Sequence, residues 1–268
     1  MTATAQQTGS LLTAGVIDGW RLGPALLGTG QGITAGQPHE RMDSAKVEPL
    51  RLGDPGPCPP GGATVFIVLD GSASVAGCGG NDPLSRRHSE AALAIRHVAR
   101  ACRCGRDRVA LVPFDIASTG HVGPQPLTER GVRRLHHGLR QLSDECGLSS
   151  ELGPALEVIE AQTGAASGAV ALVVFSDFLL TDSNPSAVLS RLHAFPGSVH
   201  AVVLGGQPPG VLLADPAVAV TRLTPSSPPG SAARAVFDGL THYRIRHRFH
   251  QGSAAHHSSD TAEGSNNL

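Results

Sequence analysis

The sequence predicts an α/β fold: a doubly wound, mostly parallel central sheet with helices on both faces, and flexible termini. Three observations predict it. Two apolar runs, 64–69 (TVFIVL) and 169–175 (AVALVVF), show no polar alternation, as strands buried on both faces do. Both runs lead directly into an acidic residue, Asp70 after the first and Asp177, past Ser176, after the second. That is where open α/β sheets hold their ligands. Stretches of helical period separate these and further strand-like runs, which implies parallel strands joined by helical crossovers.

The totals agree with one such domain plus extra termini. The chain has 268 residues, 40% of them hydrophobic but only 3% aromatic, so the core must be aliphatic. A formal net charge of −1 argues against a general polyanion binder. Lys46 is the single lysine, and Arg supplies the rest of the basic side. The five cysteines, Cys58, Cys78, Cys102, Cys104 and Cys146, are odd in number and lack framework spacing, which points to a reducing compartment. Cys102-Arg103-Cys104 could make half a zinc site, but structural zinc usually takes C-x₂₋₄-C pairs. No basic region precedes the short apolar stretch 11–17, and no run approaches the ~20 apolar residues of a membrane span. A cytoplasmic protein without a membrane partner is the expectation.

Residues 1–62 read as a poorly structured extension, in which Trp20, Leu22, Leu26 and Leu27 could form one short docking element. The extension closes in a Pro/Gly linker, 53–62 (GDPGPCPPGG), that suits neither helix nor strand. After the first strand, Asp70, Ser72 and Ser74 alternate across a Gly-containing turn, and 77–83 is a flexible loop. Residues 85–103 form a helix with Ala91, Ile95, Val98 and Cys102 on one face. Its arginines, Arg86, Arg87, Arg96, Arg100 and Arg103, read as a solvated face. A second strand spans 108–114, with Pro113 near its end where a lost donor matters least. The stretch 116–127 has room for one short edge strand.

Thr128 caps the next helix, which carries the stripe Val132, Leu135, Leu139 and Leu142, with His136 and His137 as surface residues beside it. Residues 143–150 form a loop, and a helix with Leu152, Leu156 and Ile159 inward follows, N-capped by Ser149 or Ser150. Beyond the strand at 169–175 come a helix at 184–195, strands at 199–204 and 217–223, and a helix at 231–243. The tail 244–268 is basic at first and then polar and disordered. In 242–250 (HYRIRHRFH) Arg244, Arg246 and Arg248 alternate, either along a strand or as the basic end of the last helix.

The DGSAS segment, Asp70 to Ser74, resembles the D-x-S-x-S motif of von Willebrand factor type A (VWA) domains, which forms the first loop of their metal-ion-dependent adhesion site. The segment SELGPAL from Ser150 to Leu156 is similar to the family's T-x-x-G-x-x-L second loop, with Ser in place of Thr. Asp177 at a strand end resembles the third loop, although many members continue Asp-Gly and Phe178 stands here. The resemblance covers residues 63–243. It implies that Asp70, Ser72, Ser74, Ser150 and Asp177 hold one Mg²⁺ (or Mn²⁺), the carboxylates often through water, with an open position for an Asp or Glu of a partner protein. It further implies an adaptor without enzymatic activity, in assemblies that include AAA+ ATPases of the MoxR type.

Two other readings come from the residues. Asp70 on a parallel sheet could be the nucleophile of a haloacid dehalogenase-like phosphohydrolase, with Asp177 and Asp182 as its last acidic motif. Against this, Ser72 replaces the second carboxylate of that family's D-x-D, and 161–170 holds neither Lys nor Arg. The Arg-rich helix and tail could instead bind nucleic acid, which the net charge disfavours.

Overall fold

The two apolar runs become the centre of a six-stranded sheet in the computed structural model, which describes residues 50–82, 86–102, 104–164 and 168–255, with side chains up to Arg244. The strands are β1 (Ala63–Leu69), β2 (Arg108–Pro113), β3 (Val122–Pro126), β4 (Ala169–Ser176), β5 (Ser198–Leu204) and β6 (Val218–Leu223). Their order across the sheet is β3-β2-β1-β4-β5-β6, and only the β2–β3 pair at one edge is antiparallel. The order reverses direction between β1 and β4, which makes their carboxyl ends the switch point of a doubly wound sheet.

Period-two alternation sorts the central strands onto two cores. Val65, Ile67 and Leu69 of β1, with Ala171, Val173 and Phe175 of β4, pack under one helical layer. That layer comprises α2 (Arg86–Ala101), α3 (Glu129–Asp144) and α7 (Ser231–Ala255). Phe66 and Val68, with Leu172 and Val174, pack under α4 (Gly153–Thr163), α5 (Pro185–His193) and the single turn α6 (Gly210–Leu213). A further single turn, α1 (Ala73–Ala76), follows β1. Among the described residues no helix is long and apolar enough to cross a membrane.

The Thr128 cap follows the sequence, and Asn184 caps α5 in place of beginning it. Thr128 Oγ1 accepts from the Gly131 N–H, and Asn184 Oδ1 accepts from the Ala187 N–H. Other assignments need correction. Arg87 is not on a solvated face: it is 1% exposed, paired with Asp82 at 2.7 Å, and donates to the Asp70 carbonyl. His136 is half-buried and joins two helices, with Nε2 3.0 Å from the Ala92 carbonyl and Nδ1 3.0 Å from Arg96 Nη2. Burial, and then Arg96, lower its pKa, and a neutral ring satisfies both contacts.

The compact unit begins at Leu52. Residues 53–62 hold neither helix nor strand, yet they are packed into this unit: Pro55 and Pro59 are buried, and His97 Nε2 sits 2.9 Å from the Gly53 carbonyl. At the other end α7 passes through residue 244 without a break, so 242–250 is helical and not a strand. Arg244 is a buried residue of this unit, ion-paired to Asp107, and not part of a free basic tail. The docking element at Trp20, Leu22, Leu26 and Leu27, Arg103, and the polar tail lie outside the described residues.

A candidate metal centre at the switch point

β1 and β4 are neighbours in register, Leu69 opposite Phe175, and the ladder continues one step as the Asp70 N–H donates to the Phe175 carbonyl at 2.9 Å. Two strands ending together therefore deliver Asp70 and Asp177 to one place. Asp70 is fully buried and Asp177 is 4% exposed. Asp70 Oδ1 accepts from the Ser72 N–H at 2.9 Å, and Oδ2 accepts from the Ser176 hydroxyl at 2.6 Å. Ser72 begins α1 as its N-cap residue, but its hydroxyl makes no capping bond and sits 3.1 Å from the Ser74 hydroxyl. Asp70, Ser72, Ser74 and Asp177 thus cluster at the carboxyl edge of the sheet.

The loop that carries Ser150 is pinned at two points. The Gly147 N–H donates to the Gly71 carbonyl at 2.8 Å, and the Ser150 carbonyl accepts from the Thr181 N–H at 3.2 Å. The loop carrying Ser150 therefore runs from the β1 loop to the β4 loop. The residue is half-exposed. Neither Ser149 nor Ser150 caps α4. Asp182 does, accepting from the Leu152 and Gly153 N–H groups at 3.0 and 2.8 Å. A carboxylate across the helix start satisfies two orphan donors and suits the dipole better than a hydroxyl.

The β4 loop turns at Phe178, where φ is +58°, the one left-handed residue other than glycine among those described. The resemblance led to glycine here, and the chain adopts a glycine-like conformation with a phenylalanine. The ring pays for this by burial: Phe178 is 8% exposed, within the core that holds α4 and α5. Its N–H donates to Ser176 Oγ, and the next N–H, of Leu179, donates to Asp177 Oδ1 at 3.0 Å. The strained turn thereby fixes the orientation of the Asp177 carboxylate.

Sequence reasoning missed Asn81. Its Nδ2 lies 3.5 Å from Asp177 Oδ2, and its amide oxygen covers Gly205 so closely that a Cβ there would come within 1.8 Å. Only its place in a loop shortly after the first motif hinted at a role, and no spacing rule ties residue 81 to 177. Arg87 and Asp82 hold that loop against Asp70.

Burial dominates the electrostatics of Asp70. Burial raises the Asp70 pKa most; hydrogen bonds from Ser176 and Ser72 oppose it, and the like charge of Asp177 adds to it. The Arg87 guanidinium goes to Asp82 and to the Asp70 main chain, not to the Asp70 carboxyl. The donors gathered here are carboxylate and hydroxyl oxygens, a hard set that fits Mg²⁺ or Mn²⁺ and offers no soft ligand.

No family model and no curated protein sequence matches the chain. Solved structures do. The mussel byssus protein PTMP1, described with a zinc-occupied MIDAS motif, matches at 15% identity and TM-score 0.46, over 67% of this chain and 47% of that one. The manganese-loaded TRAP protein of Plasmodium vivax matches at 10% identity and TM-score 0.43, over 68% and 74%. The vWF domain of the type V pili tip protein Mfa5 from Porphyromonas gingivalis matches at 17% and 0.35, over 47% and 43%. The chain spans less than half the length of the PTMP1 and Mfa5 chains.

Proposed function

We propose that this chain is a VWA-type domain acting as a metal-dependent protein-interaction module, and not as an enzyme. The observation that carries the reading is the buried Asp70 beside Asp177, ringed by hydroxyls, with no basic side chain aimed at its carboxyl among the described residues. Asp70, Ser72, Ser74, Ser150 and Asp177 are the residues that would hold the cation. When bound, Mg²⁺ or Mn²⁺ would supply positive charge beside the two carboxylates and an open position for an oxygen ligand. The protein's own groups orient the oxygens: Ser176 and the Ser72 N–H fix Asp70, while the Phe178 turn fixes Asp177. A partner recognised here would present an Asp or Glu side chain. An AAA+ ATPase of the MoxR type in the cytoplasm is the partner that the sequence resemblance supports, and the cysteine usage supports that compartment.

The phosphohydrolase reading is not favoured. Asp182 is spent on capping α4, and Ser72 stands where a second carboxylate would be needed. The nucleic-acid reading loses Arg244 to the interior.

Melting curves under a Mn²⁺ titration test the proposal. At ten times Kd a cation that binds only the folded state adds about 1.4 kcal/mol, a rise of roughly 3–6 °C in Tm for a domain of this size. Asp70→Asn should abolish the rise. Equal shifts in wild type and variant would place the ion elsewhere and end the proposal.

A further inference from the structure

At the opposite edge of the sheet, where strands begin, four metal-ligating side chains from three stretches of sequence meet. Cys58 lies in the Pro/Gly segment before β1, Cys102 and Cys104 follow the end of α2, and Asp107 precedes β2. The Cys102 sulfur is 3.2 Å from that of Cys58 and 3.3 Å from that of Cys104, and 3.7 Å from Asp107 Oδ2. All four ligand atoms fall within 4.8 Å of one another. We infer that Cys58, Cys102, Cys104 and Asp107 form a structural zinc site, separate from the carboxylate site at the switch point.

The geometry suits a tetrahedral ion. Zn–S bonds of ~2.3 Å give sulfur–sulfur edges of about 3.8 Å, and a small outward movement of the thiols opens the cluster to that size. Three thiolates and one carboxylate select zinc over Mg²⁺ or Ca²⁺, which prefer oxygen alone. A disulfide explains the cluster less well, because Cys102 has two equally near partners and a disulfide would strand the third thiol.

The surroundings are built as a metal site's outer layer is built. Asp107 is 2% exposed, and its Oδ1 accepts from the Ala63 N–H at the first residue of β1. Its Oδ2 accepts from the Tyr243 hydroxyl at 2.9 Å and from Arg244 Nη2 at 2.5 Å. Arg244, 3% exposed, also donates to the Pro55 and Gly56 carbonyls, so its charge sits beside the ligands and offsets part of theirs. On binding, zinc replaces three thiol protons, which pass to solvent; the three thiolates and the carboxylate then exceed the ion's charge by two, of which the Arg244 guanidinium offsets one. Four protein ligands leave no open position, so the ion is a staple. It ties residues 52–62 to the end of α2 and the start of β2, a link between Cys58 and Cys102 across 44 positions.

Metal analysis of the full chain, purified without chelator, should find one zinc per chain. Cobalt-substituted protein should show thiolate-to-metal charge-transfer bands. Cys58→Ser and Cys102→Ser should lose both signals, whereas Cys78→Ser, Cys146→Ser and Asp70→Asn should keep them. Before chelation only the exposed thiols of Cys78 and Cys146 should react quickly with a thiol reagent; afterwards all five should, with Tm lower by roughly 10 °C. Should a serine variant not fold, the wild-type cobalt spectrum and the thiol count still decide. Purified wild type without zinc and with five fast thiols, or with a disulfide among Cys58, Cys102 and Cys104, would overturn the inference.

Discussion

Asp70 gives the oxygen-lined site a pH signature. Its folded pKa lies above the unfolded value, so the metal-free protein binds this proton more tightly than the unfolded chain does. The contribution of this group is therefore fully present at low pH and is lost as pH rises through the folded pKa. In metal-free protein Asp70→Asn should leave stability unchanged or raise it at neutral pH, with the difference from wild type vanishing in acid; urea titrations across pH measure this. A large loss of stability in Asp70→Asn at neutral pH would assign the residue a purely structural turn. Phe178 makes a second residue-scale test. Phe178→Ala should cost about 3–5 kcal/mol through the emptied core position. Phe178→Gly should be more stable than Phe178→Ala by about 1 kcal/mol, because only glycine adopts φ +58° without strain. The opposite order would mean that the turn relaxes once the ring is gone.

At the scale of elements, two helices begin on carboxylates supplied from far along the chain. Glu90, 7% exposed in α2, accepts from the Gly230, Ala232 and Ala233 N–H groups at 2.7, 2.8 and 3.1 Å, closing the start of α7. Glu90→Ala should cost about 2–3 kcal/mol in chemical denaturation, since buried donors lose their partner. Asp182→Ala should cost about 1–2 kcal/mol and loosen the loop that carries Ser150. Such caps are invisible to sequence reading, which looks for a cap adjacent to its helix and so named Ser149 or Ser150. The local cap at Thr128 was legible, because Thr128 stands beside the helix it starts. Arg87 and His136 were misplaced for the same reason as Asp182, because periodicity assigns a face but not the polar partner that makes burial affordable.

For the whole molecule, the sheet was legible because its central strands are uniformly apolar and its helices carry clean stripes. Asp70 and Asp177 were legible as residues next to those strands. Asn81 was not, since its tie to Asp177 and Gly205 depends on how a Gly-rich loop folds back. The cysteine cluster was legible only by half, as the Cys102–Cys104 pair. Cys102 and Cys104 are too close for the usual zinc spacing, and the third ligand sits in a segment read as a linker. One edge of the sheet thus gathers carboxylates and hydroxyls, and the other gathers three thiols beside Asp107. The claim that matters most is that the oxygen edge binds a hard divalent cation. Crystals grown with Mn²⁺ and measured for anomalous scattering test it most directly. The account predicts a peak within about 2.5 Å of the Ser72 and Ser74 hydroxyls, bonded directly or through one water to Asp70, Ser150 and Asp177. A map with no peak at that edge, at millimolar Mn²⁺ and neutral pH, would contradict it.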